Sequence, residues 1–129
     1  MSAPTDRTFF PVPANFGAMP FSRGVMAGNT FYMSGQIGFD PATKKVPAIL
    51  EDEIRLLLDG IRDTLSQAGL SLQDLVYVQI FCSDVSLFDR FNAVYRTYLH
   101  EPFPARAFVG SGRLLFDAHF EIQAIAVKP

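Results

Sequence analysis

Cysteine occurs once in these 129 residues, at Cys82, so no intrachain disulfide can form. The thiol has no histidine or second cysteine at ligand spacing, and the two histidines, His100 and His119, lie far apart. No metal site is therefore expected, and Cys82 reads as a small buried hydrophobe in a reducing, cytoplasmic setting. Charge is sparse too: 19% of residues are charged and the net charge is −2. The basic residues are dispersed, with Lys44-Lys45 the only adjacent pair, which argues against the basic stripe of a nucleic-acid partner. Residues 1–20 lack a signal pattern, and no apolar run approaches the ~18 residues of a membrane span. With no repeat, low-complexity tract or linker, residues 1–129 read as a single domain.

Apolar residues are plentiful by contrast. Half of the chain is hydrophobic and 13 residues are Phe, more than one small core needs. Large exposed apolar patches are rare on monomers, so the surplus is expected at a subunit interface.

The Pro-rich start predicts extended or irregular chain, with a short strand at Thr8–Phe10. Phe21–Ala27 and Thr30–Ser34 read as strands joined through Gly28-Asn29, a hairpin signal in reversed order. Asp40-Pro41 opens a turn. Ile54, Leu57, Leu58, Ile61, Leu65 and Ala68 recur at helical spacing and predict a helix over residues 51–68. Glu51, Asp52 and Glu53 suit its N-terminal dipole, and Gly69 its stop. Leu75–Phe81 is strand-like. A second helix is expected from Ser86, with Asp89 completing a capping box, to about His100. Its buried stripe would be Phe88, Phe91, Tyr95 and Leu99. Arg106–Gly110 and His119–Val127 supply the last strands. The fold class is α+β: about six strands in a mixed sheet, with two helices on one face and a partner subunit over the other.

Arg106 and Glu121 stand out because each is an ion inside a short apolar run. A guanidinium fork fits a carboxylate, and a carboxylate can orient or deprotonate water. Together they suggest a site that holds an anionic substrate and delivers water to it. A structural ion pair between neighbouring strands explains the same residues equally well. Ser34 lacks the Gly-x-Ser-x-Gly surroundings of a hydrolase nucleophile. Ordinary helix packing and local hydrogen bonding account for Asn92 and Tyr95.

The chain resembles the Rid (reactive intermediate deaminase, RidA/YjgF) family. The likeness is carried by Pro20-Phe21-Ser22-Arg23-Gly24-Val25, Met33-Ser34-Gly35-Gln36-Ile37, Asp63–Leu70, Phe91-Asn92-Ala93-Val94-Tyr95, Phe103-Pro104-Ala105-Arg106 and Phe120-Glu121-Ile122-Gln123-Ala124-Ile125-Ala126-Val127. These segments fall in the family's order over nearly the whole chain. The resemblance implies a chorismate-mutase-like homotrimer with sites in the clefts between subunits. It also implies hydrolysis of small enamine and imine carboxylates to 2-oxo acids and ammonia, with no metal or organic cofactor. On that likeness Arg106 would bind the substrate carboxylate and Glu121 would stand beside the attacking water. Ser34 and Gly35 would line the cleft.

Two positions depart from the family pattern: Phe21 replaces a common Tyr and Phe108 a common Cys. Both are expected to line the cleft and make it more apolar. A binder or sensor of small 2-oxo or amino acids is the alternative on the same fold, and RNA cleavage is a more distant one.

Overall fold

The computed structural model describes residues 6–129; of the Pro-rich start, residues 1–5 lie outside the described residues. Six strands form one sheet: β1 (Arg7–Pro11), β2 (Ser22–Ala27), β3 (Thr30–Ile37), β4 (Leu75–Cys82), β5 (Ala105–Gly110) and β6 (Phe120–Val127). Two helices accompany it, α1 (Leu50–Gln67) and α2 (Phe88–Tyr98). The strand order is β1-β2-β3-β6-β4-β5. Every pairing is antiparallel except β4 with β5, which is parallel because α2 carries the chain back between them. No helix among the described residues is long and apolar enough to cross a membrane.

Local chemistry accounts for the element boundaries. Gly28, at φ 60°, takes the first of the two loop positions between β2 and β3. That is the position a type II′ turn reserves for glycine, which explains the reversed Gly-Asn order. At the end of α1, Gly69 has φ 75°; its N–H donates to Ser66 and the Leu70 N–H to Leu65. This left-handed cap satisfies two final carbonyls and buries Leu70 against the helix.

The start of α2 differs from the expected Ser86–Asp89 box. The Asp84 carboxylate accepts from the Ser86 amide at 3.0 Å and its hydroxyl at 2.7 Å. It caps a 3₁₀ turn, Val85–Leu87, that leads into the helix. Asp84 wins because its carboxylate meets both Ser86 donors across a two-residue turn. A capping box does form elsewhere, where the Ser71 amide donates to Asp74 at 2.8 Å.

Both helices lie on one face of the sheet. Phe31 and Met33 of β3, Val78 and Ile80 of β4, and Phe120, Ile122, Ala124 and Ala126 of β6 are buried beneath them. From above come Ile54, Leu57, Leu58, Ile61 and Leu65 of α1, and Phe91, Val94 and Tyr95 of α2. Phe88, expected in that stripe, is instead partly exposed at the start of α2. Strand alternation sends the other residues to the helix-free face. There Phe9, Val25, Tyr32, Ile125 and Tyr77 stand in register across five strands. Phe9 and Tyr32 are 61% and 50% exposed, so an apolar row crosses a face that no element among the described residues covers.

Candidate active site

The residues singled out from sequence fall into two groups on opposite sides of the sheet. The first gathers around Glu121. β3 and β6 pair Met33 with Ala124 and Gln36 with Ile122, so Ser34 and Gly35 together stand opposite Gln123. This bulge bends β3 beside the carboxylate. A methyl group added at Gly35 would overlap the Glu121 carboxylate, so the missing side chain is the space the acid occupies. Ser34 donates its hydroxyl hydrogen to the Ser22 carbonyl at 2.6 Å, tying β3 to the start of β2. On the helix face, Gln36 donates to the Thr64 hydroxyl at 2.9 Å and fixes the far side of the bulge to α1.

Glu121 lines a hollow of about 650 Å³ shared with Phe21, Arg23, Ser34, Gly35 and an aromatic group of Phe16, Phe39 and Phe116. Phe39 lies 4.4 Å from Phe116 and 6.1 Å from Phe16, centroid to centroid. Phe116 and Asp117 hold left-handed backbone at φ 57° and 56°, which brings the Phe116 ring over the hollow. Burial raises the Glu121 pKa, and among the described residues its carboxylate forms no ion pair.

The second group surrounds Arg106. β5 registers Arg106 with Val78 and Phe108 with Ile80, which places both on the helix side of the edge strand. Asn92 of α2 accepts a 2.8 Å hydrogen bond from Arg106 Nη1. The rings of Tyr95, Phe88 and Phe108 lie 4.9, 5.7 and 5.8 Å from the guanidinium carbon. Stacking and a neutral amide thus orient the cation while leaving its charge uncancelled. A 320 Å³ depression opens beside it, lined by Asn92, Tyr95, Phe103 and Pro104 among others. The buried Tyr95 phenol has a raised pKa, chiefly from desolvation, with the Arg106 charge opposing the rise.

Phe108 packs edge-on against Phe88 at 5.0 Å, away from the Glu121 hollow that Phe21 lines. An Arg106–Glu121 ion pair does not form within the chain. His119, just before β6, meets the buried Glu53 carboxylate of α1 through its backbone N–H and its ring Nδ1, at 2.8 and 2.7 Å. Glu53, read from sequence as a dipole partner, is fully buried and anchors the chain two residues before Glu121.

Sequence reasoning missed Asn92 as a partner of Arg106. The available signal was a poor helix former in the middle of a helix. It also missed Arg23 and the Phe16–Phe39–Phe116 group, which turns and loops bring together without any local periodicity.

The architecture, a mixed six-stranded sheet under two helices with a bulged strand beside a desolvated carboxylate, defines a chorismate-mutase-like α+β protein. Residues 14–128 match the family model described as Endoribonuclease L-PSP. The chain is 39% identical over 110 residues to a RutC family protein of Sulfurisphaera tokodaii, covering 84% of this chain and 88% of the relative. It is 39% identical over 119 residues to a 2-iminobutanoate/2-iminopropanoate deaminase of Escherichia coli K12, covering 90% and 91%. Among solved structures it is similar to E. coli TdcF with bound serine, at TM-score 0.81 and 33% identity, covering 93% and 94%. The chain belongs to this family, the Rid (RidA/YjgF) family.

Proposed function

We propose that the protein hydrolyses reactive enamine and imine carboxylates, of the 2-aminoacrylate and 2-iminopropionate kind, to 2-oxo acids and ammonia. It does so as a homotrimer whose subunits each supply one half of every site. The observation that carries this reading is that two half-buried ions, Arg106 held by Asn92 and Glu121 seated in the space beside Gly35, have no ionic partner among the described residues. Uncompensated ions are costly to keep in a fold unless a ligand or reaction uses them. The deaminase activity named for the E. coli relative and the serine bound in TdcF support a small amino-acid-derived ligand.

In this scheme the Arg106 fork binds the substrate carboxylate and the enamine tautomerises to the imine. Glu121, its charged form disfavoured by burial, takes a proton from water as the water oxygen bonds to the imine carbon. That proton passes to the imine nitrogen and completes a neutral carbinolamine. Glu121 then moves the carbinolamine hydroxyl proton to the same nitrogen, the C–N bond breaks, ammonia leaves and the C=O bond forms. Substrate, water, product and ammonia balance without a covalent enzyme intermediate, so orientation and electrostatics supply the acceleration.

A coupled assay tests the reading. Serine dehydratase generates the imine, and its disappearance is followed with and without this protein. Faster loss of imine with stoichiometric 2-oxo acid is expected. An unchanged rate alongside tight binding of the 2-oxo acid would leave the protein a binder.

A further inference from the structure

The Glu121 hollow contains a second guanidinium that the hydrolysis described above does not use. Arg23, in β2, stands over the Phe16 ring with 5.0 Å from its guanidinium carbon to the ring centroid. It forms no ion pair among the described residues, and its buried Nε has no hydrogen-bond partner. Burial lowers its pKa, as expected for a cation drawn out of water without an anion. Lys44 adds a second positive charge at the rim, and Glu121 is the one carboxylate in the lining. The hollow therefore holds more positive than negative charge.

An arginine held over an aromatic ring has its fork already oriented, and a fork of that kind fits a carboxylate. With Nε enclosed, the two terminal nitrogens remain for a ligand. Phe16 and Phe21 offer apolar surface for the methylenes that would join two anionic ends.

We propose that Arg23 is a second anion anchor and that the substrates of this protein include imines of dicarboxylic amino acids. The α-carboxylate meets Arg106 across the subunit interface and the distal carboxylate meets Arg23. The assignment of the substrate rests on the deaminase reading; the anion site itself does not.

Binding and turnover separate the two. Calorimetry on the intact oligomer compares 2-oxoglutarate with 2-oxobutanoate, since 2-oxo acids bind whether or not hydrolysis occurs. The dicarboxylate should bind about tenfold or more tightly, a difference of roughly 1.4 kcal/mol. That ratio should fall toward one in Arg23→Gln and be partly kept in Arg23→Lys, which has the charge without the fork. A wild-type ratio near one overturns the proposal, as does a ratio that Arg23→Gln leaves unchanged. The kinetic arm compares kcat/KM for imines generated from glutamate and from alanine by an amino acid oxidase. Hydrolysis of both with no advantage for the dicarboxylate removes the substrate assignment and leaves the deaminase standing. Selective dicarboxylate binding through Arg23 with no imine hydrolysed removes the deaminase and leaves the anion site.

Discussion

Arg106 and Glu121 set different demands on their surroundings, and each demand gives a measurable outcome. Arg106 is oriented by Asn92 and three rings and is not neutralised by an acid. Truncating it to Ala should cost a desolvated charge contact with substrate, on the order of 2–5 kcal/mol. That corresponds to a loss of ~30- to 5,000-fold in kcat/KM, with Lys restoring only part of it. The protein should remain folded, because no buried acid is left stranded; undiminished kcat/KM would remove Arg106 from the mechanism. Glu121 carries the opposite signature, a carboxylate whose folded-state pKa is raised by burial. Between the unfolded value of about 4.3 and the higher folded value, the native state binds the extra proton, so stability falls as pH rises. Glu121→Gln should therefore melt higher than the parent at neutral pH, with the difference vanishing below the ordinary glutamate range. It should also abolish the rise of kcat/KM with pH expected of the parent as Glu121 loses its proton. Thermal melts and a pH–rate profile on the same pair of proteins check both signs.

At the scale of elements, the β3 bulge decides where the acid points. Gly35→Ala adds a methyl group that the Glu121 carboxylate must vacate. The expected result is a fall in kcat of tenfold or more, about 1.4 kcal/mol in the barrier, with the inhibition constant of the 2-oxo acid product little changed. A crystal structure of the variant should show the carboxylate displaced; full activity would mean that its position is not critical. Much at this scale was legible in the sequence. Ile54 through Leu65 repeat at helical spacing and do form α1, and the β-rich segments from Thr8 to Val127 do form strands. Arg106 and Glu121 were visible as ions out of place in apolar runs. What could not be read were contacts whose cause is long-range. Parallel pairing of β4 with β5 sends Arg106 to the helix side, opposite to Glu121, and no local pattern reports that register. The bulge left only a trace, a glycine inside a strand. Glu53 looked like a helix-start acid because its partner, His119, is 66 residues away.

For the molecule as a whole, the uncovered row of Phe9, Val25, Tyr32, Ile125 and Tyr77 is the surface on which the proposed trimer would depend. Burying such rings stabilises an interface by roughly 25 cal/mol per Å² of apolar area removed from water. Light scattering at micromolar concentration should give three times the chain mass of 14.3 kDa. Tyr32→Asp should shift that mass toward the monomer and remove imine hydrolysis together with it, although Tyr32 lies outside the Glu121 hollow. A monomer that retained activity would show that one chain completes the site alone.

The separation of Arg106 and Glu121 by the thickness of a sheet has a genetic consequence. Arg106→Ala and Glu121→Gln should each be strongly impaired as pure preparations, yet they should complement one another. In trimers reassembled at random from equal amounts of the two, about a quarter of the clefts pair an intact arginine with an intact glutamate from the neighbouring chain. Recovery of that fraction of parental activity after co-refolding, and its absence when preformed trimers are merely mixed, would mark the active unit as the boundary between chains.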